Sequence, residues 1–125
     1  MTVRELYELT KAMMFEKKTS RDYDDYYIPW INVLLSENFD IENSLLRGEG
    51  EPPLDDIPSV AADTDELPYH DRINREVLPY GLAAKFFIDD DLSKYDLFNT
   101  DYQNARMAYM RGKMTAMTDV YEVTW

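Results

Sequence analysis

The chain has 125 residues and a formal net charge of −12. That length supports one domain with a modest core, and such acidity argues against a protein that reads nucleic acid through its phosphates. With no cysteine, disulfides and thiolate metal sites are excluded, and no stretch nears the ~20 apolar residues of a membrane span.

Charges interrupt every apolar run near Met1–Glu5, so no signal peptide is read there, and a soluble protein used without standard export is expected. Thr2-Val3-Arg4-Glu5 has the form of a capping box. Val3, Leu6, Leu9 or Thr10, Met13 and Met14 then recur at helical spacing. The helix is expected to stop near Lys17-Lys18, where cations suit the dipole.

Thr19–Asp25 is polar and turn-like. Asp24 or Asp25 is the expected cap of a second helix, with Pro29 in its first turn. Ile31, Leu34, Leu35, Asn38 or Phe39, and Ile41 or Leu45 form its apolar face. One continuous helix is expected to about Leu46, before Gly48 and Gly50. Residues 48–68 are acidic and rich in proline, and from Glu49 to Asp71 there is no Lys or Arg. A long loop is expected there, anchored by Leu54, Ile57 and Val60.

Asp65-Glu66-Leu67-Pro68 carries start signals for a third helix, expected over about Tyr69–Asp89. Ile73, Val77, Gly81, Ala84 and Ile88 share one face, and Leu78, Leu82 and Phe86 an adjacent one. Apolar cover on most sides predicts burial on most sides. Gly81 and Ala84 allow a neighbouring helix to come close, and Pro79 predicts a bend or a junction near Val77-Leu78. After Asp89-Asp90-Asp91 comes a fourth helix, with Tyr95, Phe98, Tyr102, Ala105 and Tyr109 on one stripe. Gly112 is its expected end. Residues 113–125 alternate in strand rhythm, through Val120, Tyr121, Val123 and Trp125. The expected fold is mainly α. It is a bundle of about four helices over residues 1–112, with an extended, strand-like tail over 113–125.

The chemistry-bearing residues are sparse. Adjacent aspartates in Asp89–Asp91 point about 100° apart on a helix, and the glycine and glutamate of a calcium loop are missing after them. They read as a solvated helix end whose last member caps the next helix. His70 is the only histidine, too few nitrogens for a zinc site, and its neighbour Asp71 does not face it on a helix. It reads as an exposed or half-buried residue of a helix's first turn. There is no phosphate loop, nucleophile elbow or His-Glu-x-x-His pattern. No enzyme, cofactor or metal is expected. The ten tyrosines suit equally a core rim and a surface buried against partners.

The run Asp65–Tyr109, with Leu78-Pro79-Tyr80-Gly81-Leu82-Ala83-Ala84 followed by Phe98, Tyr102 and Ala105, resembles the head–tail connector (adaptor) proteins of tailed bacteriophages. The opening Thr2–Glu16 is similar to the first helix of such proteins, and the likeness spans most of the chain through packing motifs. The resemblance implies a structural virion protein of the particle's neck, assembled in the host cytoplasm. It implies a homo-oligomeric ring, usually of about twelve copies, that joins the portal protein to a further neck or tail protein. The tail then binds portal or neighbouring subunit, with Arg111, Lys113, Val120, Tyr121, Val123 and Trp125 as contact residues. DNA would pass an acidic lumen without specific binding, and no membrane is involved. A β-rich stopper or tail terminator is the nearest rival. An acidic protein-binding module, either a DNA mimic or an inhibitor of a basic host protein, is the alternative from another class.

Overall fold

The computed structural model describes the backbone of residues 1–123 and the side chains of residues 1–110. The described residues are mainly helical, in the order α1 (Val3–Met13), α2 (Tyr27–Glu37), α3 (Phe39–Gly48), α4 (Asp71–Glu76), α5 (Leu78–Phe87) and α6 (Leu92–Val123).

The capping box forms as the sequence predicts. The Glu5 N–H donates to the Thr2 hydroxyl at 3.1 Å, and the Thr2 N–H donates to the Glu5 carboxylate at 3.3 Å. The helix buries Val3, Leu6, Tyr7, Thr10 and Lys11. It stops short of Lys17-Lys18, because Phe15 turns into the left-handed region at φ 61°. The Glu16 N–H then bonds the Lys11 carbonyl at 2.9 Å and the Phe15 N–H the Ala12 carbonyl at 3.1 Å. This is a Schellman stop, which closes the helix without help from the lysine pair. Lys11 holds the following turn instead, donating from Nζ to the carbonyls of Lys18 (2.9 Å) and Ser20 (3.3 Å).

The expected second helix is two. Asn38 ends α2 and starts α3 at φ −107°, ψ 9°. Its side-chain amide donates back to the Leu34 carbonyl at 2.8 Å, a local bond that competes with helix continuation. Arg106 fastens the corner, donating from Nη2 to the Glu37 carbonyl at 2.9 Å. Neither Asp24 nor Asp25 caps α2. Tyr26 holds the cap position without a side-chain bond, and Asp24 accepts from the Tyr7 hydroxyl at 2.8 Å. Pro29 does lie in the first turn of α2.

The long loop is pinned by two asparagines. Asn32 accepts from the Val60 N–H at 2.8 Å and donates to its carbonyl at 3.0 Å. Asn43 does the same for Leu54 at 2.8 and 3.4 Å. Each amide mimics a strand neighbour, so the backbone polar groups of Leu54 and Val60 are satisfied without a sheet. The loop then pairs briefly with the chain start, where the Val3 N–H meets the Asp65 carbonyl and the Leu67 N–H the Met1 carbonyl, both at 2.9 Å. Val60 and Leu54 are the anchors, as expected, while Ile57 is half exposed.

The third predicted helix starts at Asp71 rather than near Tyr69. It breaks at Val77, and Pro79 opens α5 from its first turn, where its missing N–H costs nothing. α5 is the centre of the molecule, packed by α1, α2, α4 and α6. Leu78, Gly81, Leu82, Ala83, Ala84, Phe86 and Phe87 are all buried, and each large apolar group contributes about 1.5–3 kcal/mol. Around it stack Tyr23 on Phe86 (4.3 Å), Phe87 on Phe98 (5.6 Å) and Tyr7 on Tyr27 (4.1 Å). Ile88, expected on the buried face, is exposed, because α5 has ended before it.

The tyrosine stripe of α6 faces the core. Tyr102 is fully buried, and Tyr95, Phe98, Ala105 and Tyr109 pack beside it. The helical backbone passes Gly112 and runs to Val123, which departs from the extended course expected for residues 113–125. A helix satisfies its own backbone groups, whereas a lone strand leaves them unpaired; one glycine in a helix costs only about 1 kcal/mol.

Candidate functional site

The residues that the resemblance marked as partner contacts, Arg111, Lys113, Val120, Tyr121, Val123 and Trp125, have side chains outside the described residues. The other sequence-marked features are placed. Asp89 and Asp90 are exposed after α5, and Asp91 accepts from the Lys94 N–H at 3.2 Å. It therefore caps α6, as the sequence suggested. Among the described residues, no three His, Asp or Glu side chains are grouped to hold a metal ion.

Several large apolar side chains are exposed. Phe15 is 97% exposed and Leu92 68%, and Tyr26 and Ile88 are exposed too. The Tyr23 ring stacks on Phe86. Its phenol pKa is pushed up first by burial and then by the carboxylates of Glu16, Asp90 and Asp22. The ends of α1 and α5 therefore meet around one aromatic, with acids at the rim. The exposed residues come from the stop of α1, the approach to α2 and the α5–α6 junction. An apolar group at full exposure in a left-handed backbone carries a cost without an internal return.

A second surface is an open groove of about 440 Å³ along the outer side of α1, lined by Glu5, Glu8, Leu9, Ala12, Glu16 and Lys18, with Met1 and Arg75. Its acids and cations include no nucleophile paired with a base. It offers a polar contact strip rather than a reaction centre.

A third feature was not legible from composition. His70 precedes α4, and its backbone N–H donates to Glu42 Oε1 at 2.8 Å. Its Nδ1 lies 2.8 and 2.9 Å from the two oxygens of the same carboxylate, and Nε2 bonds Glu49. Glu42 is nearly fully buried, at 3% exposure. The carboxylates sit on opposite ring nitrogens, so they do not converge on a shared ion. The sequence signal was the two-turn spacing of Glu42, on α3, and Glu49, the residue that caps its C-terminal end; nothing local linked them to a histidine beyond a long loop.

A buried polar network fastens α6. The Tyr102 hydroxyl donates to Glu37 Oε1 at 2.6 Å and accepts from Asn38 at 2.9 Å. Lys85 donates to Glu37 Oε2 at 3.2 Å. Burial first, and then the Glu37 bond, raises the Tyr102 phenol well above its ordinary range. These groups are engaged with one another, which makes the network structural. Comparison of the chain with protein-family models, with curated proteins and with solved structures gave no match.

Proposed function

We propose that the chain is a structural virion protein, a head–tail connector that forms a ring joining the portal to the tail. Its work is assembly, without catalysis or a cofactor. The observation that carries an assembly role is Phe15, an aromatic 97% exposed in a backbone conformation that favours glycine. Burial against a neighbour would offset both costs. The segment that resembles connectors, around Leu78–Ala84, is the buried central helix α5, which suits a family whose shared motifs are packing motifs. The C-terminal residues Arg111, Lys113, Val120, Tyr121, Val123 and Trp125 are the proposed contacts to portal or neighbouring subunit. Repetition around a ring would make modest contacts collectively strong. The acidic charge keeps passing DNA from sticking to the lumen. The protein belongs, on this reading, at the neck of the particle.

The test is co-sedimentation with purified portal rings. Stoichiometric binding that weakens on removal of residues 113–125 supports the proposal. A monomer that ignores portal at micromolar concentrations refutes it.

The second reading, an acidic module that binds a basic protein, is favoured by Glu51, Asp55, Asp56 and Glu66, all exposed on the loop. It predicts capture of basic proteins that fades steeply with salt, which an apolar connector contact would resist.

A further inference from the structure

The loop that leaves α3 at Glu49 returns to α4 at His70, and its two ends meet through the imidazole. Nε2 bonds the Glu49 carboxylate and Nδ1 bonds Glu42. Both ring nitrogens thus face carboxylate oxygens. A neutral imidazole has one N–H, and its other nitrogen is an acceptor that cannot bond a carboxylate. Only the imidazolium satisfies both partners.

We propose that His70 is a proton-dependent latch that closes the neck of the Glu49–His70 loop onto α3. The charged ring holds both carboxylates. On deprotonation the ring keeps its Nδ1 proton, because buried Glu42 has few other donors: the His70 N–H and Nδ1 are the partners it holds. Glu49, whose side chain is 54% exposed, is released to water. The neck opens there, while the Asn43–Leu54 and Asn32–Val60 clamps keep the rest of the loop seated. The stretch this loosens is Glu49–Glu51, whose N–H groups are then held only by the last carbonyls of α3, Leu45, Arg47 and Leu46.

The surrounding charges are accounted for. α3 supplies Glu42 and its C-cap is Glu49, with Asp40 acting on Tyr69 nearby. α4 supplies Asp71, which is held by Arg75 Nε at 2.6 Å, and Arg72, whose guanidinium lies over the Tyr109 ring at 5.6 Å. The Glu42 bond is the main influence raising the affinity of His70 for its proton; burial opposes it, and Glu49 adds to it. The latch is therefore closed below that raised midpoint and opens as pH rises through it. It stands independently of the connector reading.

His70 is the sole histidine, so its ring resonances are unambiguous by NMR. Wild-type protein should titrate above the ordinary histidine value of about 6.5. Amide exchange at Glu49, Gly50 and Glu51, corrected for the intrinsic effect of pH, should speed several-fold through that midpoint while Val60 stays protected. Glu49→Gln, a change at an exposed side chain, should lower the midpoint and remove the pH dependence at residues 49–51. A His70 midpoint at or below the ordinary value overturns the latch. So does exchange at residues 49–51 that ignores the midpoint, or a Glu49→Gln variant with an unchanged midpoint.

Discussion

Tyr102 packs so closely on Gly81 that a Cβ there would lie 2.8 Å from Tyr102 Cε1 and 2.7 Å from Leu34 Cδ2. The ring cannot yield easily, because its hydroxyl is bonded to both Glu37 and Asn38. Gly81→Ala gains helix propensity of about 1 kcal/mol but overpacks the site at a cost of ~1–3 kcal/mol. The expected outcome is a net loss of roughly 1 kcal/mol, read as a lower urea midpoint at unchanged slope. A more stable Gly81→Ala protein would show that α5 and α6 are not in this close contact.

Phe15 should behave in the opposite sense. Relief of the left-handed backbone by Phe15→Gly is expected to stabilise the isolated chain by about 1 kcal/mol. If the side chain is an assembly contact, the same variant should associate more weakly. Thermal unfolding of dilute protein, set beside sedimentation at high concentration, separates the two effects.

Asn32 is expected to control the order of the long loop. Asn32→Ala leaves both polar groups of buried Val60 without their partner, at a cost of about 1–3 kcal/mol. Asn32→Asp retains the acceptor for the Val60 N–H but sets a second carboxylate oxygen against the Val60 carbonyl, where Nδ2 donates in the wild type, so it does not restore the clamp. Protease cleavage within residues 50–60 should be faster in both variants than in the wild type.

The His70 pairs make stability depend on pH with a definite sign. The folded-state pKa is raised, so the stabilisation is fully present below the unfolded value of about 6.5. It is lost as pH rises through the folded value. Urea midpoints of the wild type should fall across that window, and those of His70→Gln should stay nearly flat. A wild-type midpoint that rises there would reverse the assignment.

Much of the helical plan was legible because its signals are local. Thr2 and Glu5 lie within one turn, the α5 apolar positions repeat at helical spacing, and Pro79 marks its own junction. Gly81 was readable as a close approach because small residues on a buried face have few other uses. The tyrosine stripe was readable as a stripe, but whether it met core or partner depended on α5 lying beside it. The misses depend on distant partners. Asn38 breaks the second helix with support from Arg106, far along the chain. Phe15 occupies a position where glycine would have announced the stop. The histidine clamp joins α3 to the far end of a loop, and nothing near His70 in sequence names Glu42 or Glu49.

The most direct test of the connector reading is electron microscopy of the purified chain incubated with portal rings. The account predicts closed rings of this protein stacked coaxially on one face of the portal, with the symmetry of the complex visible in end-on views. Portal rings left bare, beside protein that remains monomeric at high concentration, would contradict it.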